Sequence, residues 1–559
     1  MSLLTKASLI ATPTAYGDGV LNSVKPTNGD GDFDFARASA ATRVNEQGLI
    51  EKERGNLLLQ SNQFDTTWTT SDVSVTSGQS GYDGSSDAWL LTATSTLNCR
   101  INQSISSSGV KTLSVYAKAG TADWVIVQIG GGTASYAWFD LSSGAVGTSG
   151  QLINSEITSV GGGWYRCSIT GANSNTSVNI YVATADNSVS TSSGDTIYIQ
   201  DAQLEQGLVA TDYIETTTAA VYEGITDDIP RINYENGIGS FLLEPQRTNL
   251  VPYSEYFGGW NKSTGAITIT SNYGISPEGL QNSSRIQFTG ASQHINISTS
   301  LGIGVTSTGS VYIKGVAGET IQFDTGGVGT LKTLTGDWQR IQVTSVSVSS
   351  LLLINTFGGA TARDIEVWGA QMEEASYPTS YIPTYGTSVT RVAETCNNAG
   401  DSSLFNDSEG VLYAEMAAIS NDSTGKHIAI SNGTSSNATT IYFYANSINA
   451  VNYVSGVNQF YFNQTLSDVT HMHKVALKYK ANDFALWLNG VEIATDSSGS
   501  VPSGMDTLSF DNGGGSANFY GKVKMVSTFT EALSDSELEC LTSWSSFNRM
   551  ATAQGYTIQ

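Results

Sequence analysis

Asn56-Leu-Leu-Leu-Gln-Ser-Asn-Gln-Phe64, with Trp68 after it, and Asn249-Leu-Val-Pro-Tyr-Ser-Glu-Tyr-Phe257, with Trp260 after it, share one motif. Their Asn, Leu, Ser and Phe residues match position by position at one constant offset. Two such segments far apart in one chain indicate an internal duplication. A duplication constrains the fold more than any single predicted strand or helix does.

Four further blocks recur in the same order, which extends the duplication over residues 43–390. Arg43–Asn45 returns as Arg231–Asn233, Ser114–Lys118 as Ser310–Lys314, Gly163–Arg166 as Asp337–Arg340, and Ala202–Glu205 as Ala370–Glu373. The offset varies from block to block, so the two repeats carry loops of different length on one framework. The second repeat is shorter between its Ser-Val-Tyr and Trp-Arg blocks, which predicts that a hairpin is trimmed there.

The repeated blocks have the period-2 pattern of half-buried β-strands. In Thr112–Lys118, for example, Leu113, Val115 and Ala117 share one face. Runs of this kind, separated at short spacing by turns rich in Gly, Ser and Asn, are typical of β-sandwiches. We therefore predict an all-β fold with two duplicated jelly-roll β-sandwiches of about 170 residues each.

A third unit follows the two repeats. Its clearest signal is a hairpin over residues 484–494, because Asn489-Gly490 between two alternating strands favours a type I′ turn. Ser534 and Glu537 then have the spacing of a capping box, which predicts a short helix after the last strand.

Residues 1–42 lack this strand pattern and are interrupted by Gly, Asn, Thr and Pro. Their few apolar pairs cannot form a core alone, so we predict an extended N-terminal arm that packs onto something else. The predicted domains are the arm at 1–42, the first repeat at 43–220, the second repeat at 221–390 and a third sandwich at 391–559.

The composition excludes several classes of function. The net charge is −24 at pH 7 and the pI is about 4.4, whereas nucleic acid and anionic membranes require a basic face. We expect neither as a partner, and we find neither an apolar run of about 18 residues nor a signal-peptide pattern. The four cysteines are too few and too far apart for a disulfide scaffold or a zinc site, so we expect free, mostly buried thiols.

Met1–Tyr16 and Arg37–Glu51 resemble segments of virion structural proteins from tailed phages that infect Bacteroidetes, including crAss-like phages. The string Leu-Glu-Pro-Gln-Arg-Thr-Asn-Leu at Leu243–Leu250 resembles phage fibre and head-spike proteins. The resemblance implies a fibre or spike, usually a homotrimer, that is assembled in the host cytoplasm and resides in the virion. The arm would then bind other virion proteins, of the capsid or of the portal and tail, through the apolar residues Leu3, Leu4, Leu9 and Ile10.

The third unit is similar to laminin-G and concanavalin-like sandwiches. The hairpin Leu486–Ile493 and the closing segment at 521–538 carry this match. Members of such fold classes range from sugar-binding proteins to purely structural ones, so the resemblance implies the fold and leaves the function open.

Residues suited to catalysis or metal binding are scarce. His471 and His473 could share one strand face and hold a metal, although such a pair is more often a solvated strand end. Asn28–Asp34 mimics the start of a calcium loop, but Phe33 and Ser39 stand where an EF-hand needs Gly and Glu. An irregular calcium site stays open as an alternative to a polar turn. We expect no catalytic residue, no resident metal and no cofactor.

Two carboxylates and two aromatic residues are the remaining candidates. Glu205 and Glu373 could mark a glycosidase, but they occupy the same framework position in both repeats, which favours a structural role. Most of the tryptophans that recur between the repeats are expected in the cores. Trp368 and Tyr385 do not recur, and they are therefore our candidates for surface aromatics that bind a glycan.

The leading hypothesis from the sequence is a non-enzymatic structural component of a phage virion, a head fibre with possible binding to glycans or to the host surface. The alternative is a tail fibre, a receptor-binding adhesin or a spike that degrades polysaccharide. A secreted bacterial glycan-binding protein is a third possibility.

Overall fold

The computed structural model describes residues 3–131, 134–172, 174–235, 237–263, 265–358 and 362–555, with only the backbone described at residues 4, 175 and 547. The chain is all-β, as predicted. It divides into two compact units, each assembled from separate segments. The first unit comprises Met1–Lys52, Ile225–Arg247 and Arg391–Gln559, and the second comprises Glu53–Gly224 and Thr248–Thr390.

The first half of the chain consists of one short helix and many strands. The N-terminal elements are α1 (Leu3–Lys6), β1 (Ala7–Ala11), β2 (Tyr16–Gly17), β3 (Val20–Leu21), β4 (Phe33–Ala36), β5 (Thr42–Val44) and β6 (Ile50–Lys52). The first repeat contains β7 (Arg54–Asn56), β8 (Thr69–Ser71), β9 (Val73–Gln79), β10 (Ala88–Ala93), β11 (Arg100–Ser107), β12 (Lys111–Ala119), β13 (Trp124–Gly130), β14 (Ser135–Asp140), β15 (Ala145–Gly150), β16 (Asn154–Gly161), β17 (Trp164–Gly171), β18 (Asn175–Ala183), β19 (Thr196–Gln206) and β20 (Val221–Glu223). Two short strands follow, β21 (Arg231–Asn233) and β22 (Ser240–Leu243).

The second half has the same character. The second repeat and its flanks contain β23 (Arg247–Asn249), a 3-10 helix at Phe257–Gly259, β24 (Asn261–Lys262), β25 (Ile267–Thr270), β26 (Ser284–Phe288), β27 (His294–Ser298), β28 (Thr306–Lys314), β29 (Thr320–Thr325), β30 (Val328–Thr333), β31 (Gln339–Val346), β32 (Leu351–Asn355), β33 (Arg363–Glu373) and β34 (Val389–Arg391). The remaining elements are β35 (Thr395–Asn397), β36 (Glu409–Ala418), β37 (Lys426–Ser431), β38 (Ala438–Tyr444), β39 (Ser447–Val454), β40 (Val457–Thr465), β41 (His473–Lys480), β42 (Phe484–Leu488), β43 (Val491–Asp496), β44 (Thr507–Ser509), β45 (Gly521–Phe529), α2 (Asp535–Thr542) and α3 (Phe547–Ala553).

The first repeat is a sandwich of two six-stranded antiparallel sheets. Their strand orders are β16-β17-β12-β19-β10-β9 and β15-β14-β13-β18-β11-β8. The predicted alternation is confirmed, since Leu113, Val115 and Ala117 of β12 are fully buried in the core between the sheets. Alternate residues of a strand point to opposite faces, so every second residue of such a run lines the core and the residues between them face away from it.

The second repeat is the same sandwich with one strand fewer in each sheet. Its strand orders are β25-β26-β33-β28-β31 and β24-β27-β32-β29-β30. Compared with the first repeat, these sheets lack counterparts of β15 and β16, which are consecutive and lie side by side at the edges of the first repeat. The second repeat is therefore trimmed where the sequence predicted, but the two missing strands belong to different sheets and each pairs with another strand, so the missing segment is not a hairpin.

The duplicated Asn in the motif that revealed the repeats is a buried staple. In the second repeat, Asn249 Nδ2 donates to the carbonyls of Ala370 (3.1 Å) and Ile382 (2.8 Å). Its Oδ1 accepts from the amides of Val251 and Met372, both at 3.1 Å. Asn56 makes the same four bonds in the first repeat, so the residue ties three chain segments together in each sandwich.

The duplicated Gln and Glu form a second clasp. Gln371 Nε2 donates to Glu373 Oε2 at 2.8 Å, while its Oε1 accepts from the amide of Ile382 at 2.7 Å. The Glu373 carboxylate also accepts from the amide and the hydroxyl of Thr379. Gln203 and Glu205 repeat this pattern in the first repeat. The recurring carboxylates thus hold the segment that follows the last long strand.

Replacing Asn249 by Ala should lower the free energy of unfolding by about 3 kcal/mol. The change leaves buried amide and carbonyl groups without partners, and each such group costs about 1–3 kcal/mol. Chemical denaturation in urea measures the effect. Asn261, an exposed residue of the same repeat, gives the matched control N261A, which should change the unfolding free energy by less than about 0.5 kcal/mol. A loss no larger for N249A than for N261A would contradict the role of the staple.

The unit that comprises Met1–Lys52, Ile225–Arg247 and Arg391–Gln559 forms the third β-sandwich of the chain, which we call the C-terminal sandwich. One sheet has the order β21-β22-β45-β36-β41-β42-β43, with β1 also paired to β45, and the facing sheet has the order β40-β39-β38-β37-β44. A small sheet, β2-β3-β4-β35, and the pair β5-β6 complete the unit. The predicted boundary at residue 391 therefore omits strands that come from residues 7–52 and 231–243.

The prediction of an extended arm over residues 1–42 is wrong. β1 is a sheet strand, in which Ala11 pairs with Val526 and Ile10 with Ser527. Leu9 is fully buried and Ile10 is 8% exposed, while Leu3 packs against the same sandwich, so these apolar residues are covered by their own chain and do not project to a virion partner. The side chain of Leu4 lies outside the described residues. The N-terminal segment packs against a strand of the same chain that lies about 520 residues further along the sequence.

Five buried charged residues join the three segments of this unit. Glu394 Oε1 accepts from Arg37 Nη1 (2.9 Å) and Arg231 Nε (2.8 Å). Glu244 Oε2 accepts from Arg231 Nη1 (2.8 Å) and Arg391 Nη1 (2.7 Å). All five residues are at most 2% exposed. We call this group the arginine cluster; it links residues 37, 231–244 and 391–394.

The local predictions for the C-terminal sandwich are confirmed. Asn489 and Gly490 both have positive φ, 50° and 89°, as a type I′ turn requires. Ser534 and Glu537 form the predicted capping box at the start of α2. Across the described residues, no helix is long and apolar enough to cross a membrane. The four cysteines are free, and three of them are buried.

Candidate functional site

The five-stranded sheet of the C-terminal sandwich has one face in the core and one facing away from it. Ile441 and Phe443 of β38 are buried in the core, so Thr440, Tyr442 and Tyr444 lie on the other face. We call this the outer face. Strand register places further residues on it beside those of β38, mostly polar or aromatic, namely His427, Asn449, Val451, Tyr453, Tyr461 and Asn463.

A cavity of about 340 Å³ opens on the outer face. Strands β37 to β39 form its floor, and loops at residues 435–436, 456 and 512 form its rim. The lining residues are His427, Ser435, Ser436, Thr440, Tyr442, Val451, Tyr453, Gly456 and Asn512. This set combines aromatic rings, hydroxyls and an amide, and it contains no Lys, Arg, Asp or Glu.

His427 and Tyr442 form a flat aromatic pair in the floor of the cavity. Their ring centroids are 4.1 Å apart and their planes differ by 6°. Burial lowers the pKa of His427 to about 4, so the imidazole is neutral near pH 7. Burial also raises the pKa of Tyr442, which keeps its hydroxyl protonated. The floor is therefore uncharged at physiological pH.

Amide side chains continue the outer face beyond the cavity. Asn449 Oδ1 accepts from Tyr461 Oη at 2.7 Å and from Asn463 Nδ2 at 2.6 Å. The first of these bonds orients Tyr461, which is 56% exposed, and Tyr444 on the same face is 48% exposed. Two large rings thus stay partly in solvent instead of packing into the core.

A glycine-rich turn at residues 511–515 contributes Asn512 to the rim of the cavity. The Asp511 carboxylate accepts from the Gly513 amide at 2.6 Å, and Asn512 Oδ1 accepts from the Gly514 amide at 3.1 Å. Gly513 and Gly515 have φ of 82° and 76°, which favours glycine there. Burial raises the pKa of Asp511, even though hydrogen bonds from the Gly513 and Gly515 amides oppose the shift. The turn holds Asn512 at the rim.

This arrangement suits an uncharged polyhydroxylated ligand. Pockets that bind small ligands combine an apolar or aromatic lining with a few placed polar groups. Tyrosine rings offer flat apolar surface, and Asn, Ser and Thr offer both donors and acceptors. A neutral sugar could stack on the rings and exchange hydrogen bonds with the amides, whereas an acidic sugar would find no cation in the lining.

The two aromatic residues predicted to bind glycans lie elsewhere, in the second repeat. Trp368 is fully buried, with its ring 5.6 Å from that of Tyr312 and 4.6 Å from that of Tyr381, so the prediction of a surface position is wrong. The Tyr385 carbonyl accepts from the amide of Val110 at 2.6 Å, which places Tyr385 where the two repeats touch. Of the recurring tryptophans, Trp68, Trp164 and Trp260 are buried and Trp338 is half-buried.

Two of the residues considered as metal ligands, His473 and Asp32, make hydrogen bonds within the protein. His473 is buried, and its two ring nitrogens meet the Asp468 carbonyl and the Asn489 amide, whereas His471 is partly exposed. In the predicted calcium-like turn, Asp32 accepts from the amide and the hydroxyl of Ser23. Within the described ranges, no group of three His, Cys, Asp or Glu side chains is placed to hold a metal ion.

Only a weak signal for the outer face is present in the sequence. Tyr442 and Tyr444 alternate with Ile441 and Phe443, so two aromatic residues of β38 had to point away from two apolar ones. Alternation does not tell which face is covered when both carry aromatic residues. Loops from residues 435 and 512 complete the cavity, and their approach to the strand is a tertiary feature.

No protein-family model and no curated protein sequence matches this chain. Solved structures resemble parts of it. The CBM40 domain of Ruminococcus gnavus IT-sialidase is 16% identical over 26% of this chain and 94% of that chain, with a TM-score of 0.23. The binding domain of botulinum neurotoxin serotype G is 6% identical over 53% and 50%, with a TM-score of 0.18. A GH54 α-L-arabinofuranosidase is 11% identical over 46% and 64%, with a TM-score of 0.21. At these scores the likeness carries no argument about function.

Proposed function

We propose that this chain is a non-enzymatic structural and binding protein whose C-terminal sandwich binds neutral glycans on its outer face. The observation that carries the proposal is the uncharged cavity over the His427–Tyr442 pair, with Tyr453 and Asn512 in its lining. The exposed rings of Tyr444 and Tyr461 extend the same face and could contact further sugar units. The recurring carboxylates of the two repeats are occupied by structural hydrogen bonds, which favours binding over hydrolysis.

Tyr442→Ala and Tyr453→Ala should each weaken the binding of a neutral glycan at least about tenfold, because each removes ring surface from the cavity. The measurement is a glycan array with the full chain, followed by calorimetric titration of the best neutral ligand. Tyr222 is 48% exposed in the other unit, so Y222A is the matched control and should bind as the unaltered chain does. Failure to bind any neutral glycan, or an equal loss in Y222A, would refute the proposed site.

The wider role we propose is that of a virion component, a head fibre, in a tailed phage. The support is the resemblance of Met1–Tyr16, Arg37–Glu51 and Leu243–Leu250 to phage structural proteins. An antibody against the whole chain, imaged on purified virions, tests it. Signal at the capsid vertices supports a head fibre, signal at the baseplate would indicate a tail fibre, and unlabelled virions would refute the virion role.

Incubation with host polysaccharide tests the non-enzymatic part of the proposal. Reducing ends are counted before and after incubation of the full chain with capsule material. We expect no increase over buffer. Release of oligosaccharides would overturn the proposal and favour a spike that degrades polysaccharide.

A further inference from the structure

The first repeat carries a group of aromatic rings on a sheet face that points away from its core. In the sheet β15-β14-β13-β18-β11-β8, Val125 and Val127 of β13 are fully buried in the core, so Trp124, Ile126 and Gln128 lie on the opposite face. Strand register places further residues beside them, namely Tyr136, Trp138, Asn179, Tyr181 and Arg100. We call these eight residues the aromatic face.

The rings of the aromatic face are held in place but keep part of their surface in solvent. Trp138 is 9% exposed, and its Nε1 donates to the Ser188 carbonyl at 2.9 Å. The Tyr136 ring meets it edge to face, with 5.4 Å between the ring centroids. Tyr136, Trp124 and Tyr181 are half-buried, and they pack against residues of the first repeat itself. Flat apolar surface therefore stays open to a ligand.

Tyr181 contacts the polar groups of this face. Its hydroxyl donates to Gln128 Oε1 at 3.1 Å, and Asn179 Nδ2 donates to the same oxygen at 3.1 Å. The Arg100 guanidinium lies over the Tyr181 ring, with its Cζ 5.4 Å from the ring centroid. A tyrosine ring offers flat apolar surface, while the amide and guanidinium groups beside it offer hydrogen-bond donors. This combination suits a sugar that has a hydrogen-bond acceptor next to its ring.

Arg100 has no carboxylate partner within the described ranges. Its Nη1 makes one long hydrogen bond of 3.4 Å to the Asn98 carbonyl, and its Nε is buried without a hydrogen-bond partner. Arg285 of the second repeat is different, since it also lies over a tyrosine ring but pairs with Asp364. The chain carries 50 acidic and 26 basic residues, so an arginine without an acidic partner is unexpected. Its charge is available to a carboxylate of a ligand.

The second repeat shows that the shared framework does not require the aromatic face. By strand pairing, Trp138, Tyr136, Tyr181 and Arg100 correspond to Leu331, Gly329, Asn355 and His294, in that order. Three rings and a guanidinium are therefore replaced in a sandwich with the same strand order. Unlike Trp368, which is fully buried, Tyr136 and Tyr181 do not fill space in a closed core. A role in binding accounts for them better than a role in folding.

We propose that the aromatic face binds an acidic glycan, whose sugar rings contact Tyr136 and Tyr181 and whose carboxylate pairs with Arg100. Two carboxylates beside Trp124, those of Asp140 and Asp186, accept hydrogen bonds from neighbouring turn residues. At physiological salt a charge acts over only about 8 Å, so the local guanidinium matters more to the ligand than the net charge of the chain. The proposal does not depend on binding at the C-terminal sandwich, because the two sites are on different units and differ in charge.

Calorimetric titration of the full chain with tetragalacturonate and with a sialylated trisaccharide tests the proposal, because the two probes carry carboxylates of different origin. We expect at least one acid to bind, and the tighter of the two identifies the source of the carboxylate. Arg100→Gln should weaken that binding at least about tenfold, since the amide keeps hydrogen bonds but no charge. Arg285→Gln is the matched control, because Arg285 lies over a ring but already has a carboxylate partner, and it should bind as the unaltered chain does.

The methyl ester of the bound acid tests the same contact without any substitution. It should bind the unaltered chain at least about tenfold more weakly than the acid does, because its carboxyl groups carry no charge. Circular dichroism verifies that the variants fold, and the ester comparison stays decisive if R100Q does not. Three outcomes would overturn the proposal: neither acid binds at about 1 mM, the ester binds as tightly as the acid, or R100Q and R285Q lose binding equally.

Discussion

Glu394→Gln is expected to lower the free energy of unfolding of the C-terminal sandwich by about 3–5 kcal/mol. Breaking a buried ion pair by removing one partner has a cost of this size, because the other charge stays buried without compensation. The Glu394 carboxylate forms ion pairs with the guanidinium groups of Arg37 and Arg231, and Glu394 is 1% exposed.

The charge balance of the arginine cluster explains the size of the effect. Burial lowers the pKa of Arg37, although Glu394 opposes the shift. Burial also tends to lower the pKa of Arg231, but the carboxylates of Glu394 and Glu244 outweigh it and raise the pKa above its ordinary value. Without Glu394, Glu244 is the only carboxylate left in the cluster to balance three arginines. The amide of Gln can accept hydrogen bonds but supplies no negative charge.

Urea denaturation of the full chain, followed by tryptophan fluorescence and circular dichroism, measures this loss. Glu531 gives the matched control, since it pairs with Lys6 at 2.9 Å but is 52% exposed. E531Q should cost less than about 1 kcal/mol, because exposed ion pairs contribute little. A loss in E394Q as small as that in E531Q would show that the cluster does not hold the three segments together.

The sequence predicted what local patterns and internal comparison determine. Asn489-Gly490 specified its turn, and the spacing between the Ser-Val-Tyr and Trp-Arg blocks located the two strands missing from the second repeat. Each of these signals lies within a short stretch or occurs in both repeats. The all-β class follows from the same alternation. These features could be predicted because their signals lie in the local sequence or in the comparison of the two repeats.

The sequence did not predict contacts made over long separations. β1 joins β45 across more than 500 residues, and no pattern within residues 1–42 specifies that partner. Trp368 does not recur, which suggested a surface role, but it fills space beside Tyr312 and Tyr381 where the first repeat has Gln200 in the matching position. A residue that occurs in only one of the two repeats can therefore fill space in a core as well as serve in binding.

The same comparison between repeats identifies a strained, buried acid in the first repeat. Asp201 has a φ of 50°, and its counterpart Gly369 has a φ of 63°, at matching register shifts of β19 and β33. Glycine adopts this conformation readily, whereas other residues do so at a cost. Tyr82 Oη donates to Asp201 Oδ2 at 2.9 Å, while the Tyr82 ring stacks on Tyr116.

Asp201 should make the stability of the first repeat fall as the pH rises. Burial raises its pKa to about 7, the hydrogen bond from Tyr82 opposes the shift, and Asp87, Asp83 and Glu215 add to it. Because the pKa in the unfolded chain is about 3.9, the folded state binds the proton more tightly. The folded state therefore loses stability between about pH 4 and pH 7, and the loss reaches about 4 kcal/mol at higher pH.

Asp201→Asn removes this titration and keeps an acceptor for the Tyr82 hydroxyl. We expect D201N to be more stable than the unaltered chain, with a gap that grows by about 2–3 kcal/mol from pH 5 to pH 8. Urea denaturation at several pH values measures the gap. Asp65 is exposed in the same repeat, so D65N should show a difference that does not change with pH. D201G, which copies the second repeat, separates strain from charge: it should show the pH-dependent gain of D201N plus a pH-independent change from the relaxed backbone. A gap for D201N that is equal at pH 5 and pH 8 would show that Asp201 is ionised in the folded state throughout this range.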